Sequence, residues 1–314
     1  MKEELFRYLK ITSILLFSFI ALALISYNLP QEKVYKNIKK TIEKYTQNKN
    51  QISPIVKKNS HKLDYFTEGI IINNILAVPD SNNFKSALLV PRYHKYKIDS
   101  PQISWNQVRY AFENQDKKPN HSYPRYWHGS TFLYRIFFLF TDYSTIITII
   151  LSLTSILLLS LFLKLHNNFK IDLIIAFTIA LLFINVYLMQ FLIQFSSVLM
   201  IALISSLILI SRLNKNKTII PLFFITGALT VYFDILTVPL LSLGLPLLIF
   251  VYAADNKDNF LKIFVNTLKI SFTWLAGFAV FWIFKWLLVD IFTNYDIWTD
   301  VIGNIGKRAG SLEI

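Results

Sequence analysis

The chain has 314 residues, 54% of them hydrophobic, no cysteine and a formal charge of +13. The apolar residues are gathered into runs almost free of charge, which excludes an ordinary soluble domain. The absence of cysteine excludes a disulfide framework and thiol chemistry.

The first apolar run, Ile11 to Leu29, follows Lys2, Arg7 and Lys10. It resembles a signal peptide with Ala21-Leu22-Ala23 near its end, but it continues several residues further, which favours an uncleaved signal anchor. Residues 1–30 therefore read as a cytoplasmic N-terminus and transmembrane helix 1. Residues 31–130 are long enough for a small extracytoplasmic loop domain. Gln31 to Lys62 predicts a helix over VYKNIKKTIEKYTQ and then a linker broken at Pro54. In LDYFTEGIIINNILAVP, residues 63–79, the apolar side chains Leu63, Phe66, Ile70, Ile71 and Ile75 recur at helical spacing. Asp64 and Glu68 give this helix the acidic start that suits an N-terminus. SALLVPRYHKYKI predicts an extended segment, and SWNQVRYAFENQ a short amphipathic helix.

Residues 131–293 predict an interfacial helix and transmembrane helices 2–7. Tyr126 and Trp127 fall where the chain re-enters the bilayer, the level of an aromatic belt. Thr131 to Phe140 then predicts a short helix in the interface, with Arg135 reaching toward head groups. The apolar runs Ser144 to Leu163, Leu173 to Ile210, Ile219 to Ala254 and Ile270 to Phe292 follow. A span needs about 20 residues, so the second and third of these must fold back, the one around Gln190 to Ser197 and the other around Asp234 to Pro239. The expected fold is an all-α membrane protein with about seven transmembrane helices and a large, partly helical extracytoplasmic loop between helices 1 and 2. Residues 294–314 are then an extracytoplasmic tail.

Basic residues set the orientation. Lys164 and Lys170, then Arg212, Lys215 and Lys217, then Lys257, Lys262 and Lys269 occupy every second short loop and agree with a cytoplasmic N-terminus in a multi-pass cell-membrane protein; Lys307 and Arg308 in the tail dissent. Much of the excess charge lies in the outer loop. Membrane lipids, wall polymers or a phosphorylated lipid suit it better than nucleic acid, beside the plainer reading of a solvated lysine-rich surface.

Several polar residues converge on the outer face: Arg125, His128, Asp142, Gln190, Gln194, Asp234 and Thr237. Asp234 lies about seventeen residues above Lys217, roughly 25 Å up and inside the edge of the hydrocarbon core. A carboxylate there is either paired or functional. Lys285 is at similar height, so an Asp234–Lys285 ion pair competes with a substrate-facing role. Asp64 and Glu68 are one turn apart and read as helix caps or as members of a cleft. His128 reads as a general base, a metal ligand or a hydrogen-bonded interfacial histidine; His121 stands at no ligand spacing from it, so no metal site is assigned. Arg125 reads as a phosphate fork or a head-group contact. No GxxxxGK[ST], HExxH or GxSxG motif occurs.

YPRYWHG at residues 123–129 and YFDILTVPLLSLGLPL at residues 232–247, with LDYFTEGIIIN and WIFKWLL, resemble a family of uncharacterised polytopic membrane proteins of Gram-positive bacteria associated with surface polysaccharide. The layout is similar to that of the GT-C superfamily of glycosyltransferases, which take sugars from polyprenyl-phosphate carriers. That resemblance implies a general base at Asp64, with Glu68 as understudy. It implies contacts from Arg125, His128 or Lys285 to the departing lipid phosphate, and it admits a divalent cation. Asp64 lies farther from the first span than the usual acidic motif of such enzymes. The rival reading is a non-enzymatic transporter or assembly factor for lipid-linked saccharides, with Asp234 and Lys285 lining a path.

Overall fold

Almost every described residue with a regular backbone is helical, as expected of a chain whose polar backbone groups must be satisfied within apolar surroundings. A computed structural model describes residues 2–47, 66–77, 82–95, 103–115, 117–255 and 259–308. In chain order the elements are α1 (Lys2–Tyr27), α2 (Gln31–Gln47), α3 (Phe66–Leu76), α4 (Asn83–Leu89), β1 (Pro91–Arg92), α5 (Ile103–Glu113), β2 (His121–Ser122), α6 (Gly129–Phe138) and α7 (Tyr143–Asn168). They continue with α8 (Ile171–Phe183), α9 (Val186–Met189), α10 (Ile193–Asn214), α11 (Ile220–Phe233), α12 (Leu241–Asp255), α13 (Phe260–Phe292) and α14 (Ile297–Arg308). Among these, 4 helices are long and apolar enough to cross a membrane: α1, α7, α10 and α13. Three shorter apolar helices, α8, α11 and α12, stand between them.

Both long apolar runs break; in the first the break takes in Gln190 as expected but begins earlier, after Phe183, and ends before the other polar residues that suggested it. α8 ends at Phe183, Asn185 takes a left-handed conformation at φ 53°, and α10 starts at Ile193. Gln194, Ser196 and Ser197 thus belong to the first turn of α10 and are buried there. In the second run α11 stops at Phe233, and the chain turns through Leu236 at φ 66° before α12.

The tightest crossing is between α11 and α13, and two glycines make it. A Cβ on Gly227 would lie 2.0 Å from the Trp274 carbonyl oxygen, and one on Gly277 would lie 2.1 Å from that of Phe224. Small residues let helix backbones approach where lipid supplies no hydrophobic drive between helices. Against this pair α1 lays Phe19, stacked on Tyr232 at 3.8 Å between centroids, while the Tyr232 hydroxyl donates to the Phe19 carbonyl. At one end of the bundle, Asn214 at the close of α10 bonds Asn168 at the close of α7, and Tyr252 of α12 bonds Asp172 of α8. Lys170 at the start of α8 and Arg212 and Lys215 at the close of α10 stand at that end.

The described parts of the segment between α1 and α7 pack across the other end. α3 is buried along most of its length, and Asn73 pins it by donating to the carbonyls of Tyr93 and Gln107 and accepting from the Tyr93 amide. The extended segment expected over SALLVPRYHKYKI is helical in its first part. Asn82 caps α4 by accepting from the Lys85 amide, and only Pro91–Arg92 forms a strand, antiparallel to His121–Ser122. Such an N-cap satisfies a helix donor that the apolar pattern alone does not reveal.

The interfacial helix is likewise corrected. α6 buries Phe132, Tyr134, Arg135 and Phe138 among its neighbours, and Arg135 donates to the carbonyls of Ile75 and Ala77 and to Gln31. Its guanidinium therefore closes the C-terminus of α3 and does not reach outward. Tyr126 and Trp127 are core residues too, at 4% and 2% exposure; the Trp127 indole donates to the Phe281 carbonyl at 2.7 Å. Residues 297–308 of the expected tail form α14, whose Ile297 and Val301 pack with Leu88 and Val289.

Candidate functional site

The residues singled out as a site are distributed over separate local arrangements. Asp64 lies outside the described residues, two positions before Phe66. Glu68, fully buried on α3, sits on the first turn of α10. One carboxylate oxygen accepts from the Tyr143 hydroxyl at 2.5 Å and the Ile193 amide at 3.1 Å, the other from the Gln194 amide at 2.9 Å. Leu192, at the cap position of α10, supplies no side-chain acceptor. Glu68 thus provides from another helix the anion that a helix N-terminus favours.

His128 precedes α6 in a left-handed conformation at φ 61°. Its Nδ1 is 3.2 Å from the Asn74 amide nitrogen and its Nε2 2.8 Å from the Tyr123 carbonyl. The carbonyl can only accept, so Nε2 carries the proton and Nδ1 accepts from Asn74. Burial, reinforced by nearby Lys285, pushes this imidazole down to about 3. It is a neutral bridge between α3 and the 123–128 turn, with both nitrogens committed.

Lys285 is fully buried on α13. Its ammonium donates to the Leu88 carbonyl at 2.6 Å and the Ala87 carbonyl at 3.5 Å, and lies 5.5 Å from the Trp127 ring centroid. A cation on the last carbonyls of α4 complements that helix's negative end. Asp234 is turned elsewhere, accepting from the Thr237 amide and hydroxyl in a tight turn after α11. The two do not form the anticipated ion pair. Asp142 caps α7, accepting from the Thr145 amide at 2.9 Å.

The last arrangement is cationic and half open. Arg125 pairs with Asp300 of α14 at 2.6 Å, and its backbone carbonyl accepts from the indoles of Trp282 and Trp286. Burial opposes the Arg125 charge, but Asp300 and Tyr123 outweigh it and hold the guanidinium above its ordinary value. The Tyr123 ring lies 4.8 Å from the Arg125 guanidinium carbon and 4.7 Å from that of Arg92. In the β ladder Arg92 is paired with His121, whose ring is 5.4 Å from that of His94. Burial, then Arg92, pushes His121 down to about 4, so both arginines face neutral imidazoles at physiological pH.

Arg92 and His94 also line a cleft of about 110 Å³ with Phe66, Gly69, Ile70, Asn73, Tyr93 and Gln107. The Gln107 amide is committed to the backbone of Lys95 and Asn73 to Tyr93, which makes the wall rigid. Of the predicted residues, Arg125 borders this arrangement, and Phe66, next but one to Asp64, lies at the cleft. Arg92 was missed because it stands in a segment read only as extended, and it meets the YPRYWHG motif only in the fold, over the Tyr123 ring, with no local pattern to mark it. Among the described residues no three His, Asp or Glu side chains converge, so the divalent cation admitted by the resemblance has no ligand set there. The chain matches no family model, no curated protein and no solved structure.

Proposed function

We propose that the protein is a GT-C-type glycosyltransferase that moves a sugar from a polyprenyl-phosphate carrier to a cell-surface glycan. In this reading the four long and three shorter apolar helices make seven spans in the cell membrane, the N-terminus is cytoplasmic, and the segment between α1 and α7 covers the outer end. The observation that carries it is the cleft between α3 and β1, which has apolar walls at Phe66 and Ile70 and a guanidinium at Arg92. Such a cleft suits a phosphorylated lipid better than a purely apolar or purely polar ligand.

Asp64, two residues from Phe66, serves as the general base. It takes the proton of an acceptor hydroxyl while that oxygen bonds to the anomeric carbon and the carbon–oxygen bond to the carrier phosphate breaks. Arg125 meets the charge that develops on the departing phosphate. Glu68 stays outside the chemistry, because its two oxygens accept from Tyr143 and the amides of α10. A transporter with Asp234 and Lys285 along its path draws less support, since each is engaged with neighbouring backbone groups.

The test is complementation of a deletion strain with wild type, Asp64→Asn and Glu68→Gln at matched expression, followed by profiling of surface glycans and lipid-linked intermediates. Asp64→Asn is expected to lose a glycan substituent and to accumulate a polyprenyl-phosphate sugar. A wild-type profile with Asp64→Asn rules out the transferase.

A further inference from the structure

Two guanidiniums and one carboxylate meet around Tyr123, and the imbalance is informative. Arg125 has Asp300. Arg92 has no ion pair among the described residues, and its Nε is buried without a hydrogen-bond partner. Asp300 is in the complementary condition: Oδ1 accepts from Arg125 and from Asn304, while Oδ2 is buried with only the Tyr295 hydroxyl beside it. Neither imidazole nearby supplies negative charge, and Asn73 and Gln107 are committed to the backbone. A guanidinium held partly out of water, with one nearby carboxylate already paired to a second guanidinium, is undercompensated. Its persistence beside a preformed cleft is explained if an anion belongs there.

We propose that Arg92 and Arg125 together form a binding site for the phosphate group of an amphipathic ligand, and that Asp300 of α14 occupies the Arg125 half of it until the ligand arrives. The two guanidinium carbons lie around a single tyrosine ring, at 4.7 and 4.8 Å from its centroid. One phosphate, with several acceptor oxygens, can take a two-bond fork from each. The apolar part of the ligand then lies along Ile70 and Gly69 toward Phe66, which is 57% exposed at the cleft mouth. Asp300 is well placed to yield. α14 rests on the bundle through Ile297 and Val301, and the ion pair with Arg125 is its polar contact across 175 residues of sequence. The proposal rests on the transferase reading only for the choice of lipid over free phosphate, since the two sources offer the same oxygens.

The test uses the full chain in phosphatidylcholine nanodiscs, titrated with farnesyl phosphate, inorganic phosphate and farnesol. Farnesyl phosphate is expected to bind and farnesol not to compete. Arg92→Gln should weaken binding by about tenfold or more, the loss of a charge-assisted fork, with Arg92→Lys between it and wild type. Asp300→Asn should tighten binding by about fivefold, the loss of a partly exposed competing ion pair. Thermal unfolding of Arg92→Gln should stay close to wild type, because the side chain surrenders no ion pair and loses only its contact with the Tyr123 ring. Competition by inorganic phosphate at equal concentration keeps the site but assigns it to the free anion. Equal binding by wild type and Arg92→Gln, or weaker binding by Asp300→Asn, overturns the proposal. The probes carry no sugar, so this result stands apart from the complementation assay: the site can hold where sugar transfer fails, and the reverse.

Discussion

Lys285 donates to the Leu88 carbonyl across 197 residues of sequence, while Asp234, the partner that depth in the membrane suggested, bonds Thr237 three residues away. The two charges are compensated separately, each by local polar groups.

Separate compensation predicts an absence of coupling. Lys285→Met should destabilise the protein by about 1–3 kcal/mol, the range for a charged hydrogen bond and an orphaned acceptor. Asp234→Asn should add to this within about 0.5 kcal/mol. A double-mutant cycle measured by unfolding in detergent checks it; a coupling well above that value would restore the ion pair.

Glu68→Ala should cost about 2–3 kcal/mol, since it strips the Ile193 and Gln194 amides and the Tyr143 hydroxyl of their acceptor. Glu68→Gln should cost less, because the amide oxygen still accepts. Hydrogen exchange at the start of α10 is the direct readout: protection there should fall with alanine and largely persist with glutamine.

Stability should fall with acid through His128. Its folded value, about 3, lies below the ordinary histidine value of about 6.5, so below that value the unfolded chain binds the extra proton first. The contribution is complete above about pH 6.5 and is lost progressively as pH falls toward the folded value. His128→Asn, which tolerates the left-handed backbone, should flatten this limb of a pH-dependent melting series, leaving a shallower slope from His121.

Gly277→Leu should prevent α11 and α13 from closing, since even a Cβ meets the Phe224 carbonyl at 2.1 Å. Loss of the folded species on size-exclusion chromatography is expected. Gly303→Ala, on α14 where a Cβ meets nothing within 4 Å, should behave as wild type.

The helical class, the long apolar helices and the presence of α2, α3 and α5 were legible because each rests on periodicity or run length within one stretch of sequence. The uses of the buried charges were not. Glu68 closes the start of α10, Lys285 the end of α4 and Arg135 the end of α3. In every case backbone groups are among the partners, and every residue possesses them, so no side-chain pattern marks them. Charges in apolar surroundings were therefore assigned to ligands or to each other, when helix termini were taking them. Arg92 escaped for the opposite reason: what distinguishes it is a missing partner, visible only once its neighbours are in place.

The Glu68 cap also fixes an order of assembly. The carboxylate is 125 residues ahead of the Ile193 amide it binds, and at about 5–20 residues per second the ribosome needs on the order of ten seconds to make that interval. Until α10 emerges, α3 carries a charge with no helix end to receive it. The segment between α1 and α7 must therefore wait, and its closure onto the bundle reports that α10 has been inserted. Nascent chains stalled before residue 193 should leave α3 open to protease, and chains stalled well beyond α10 should protect it.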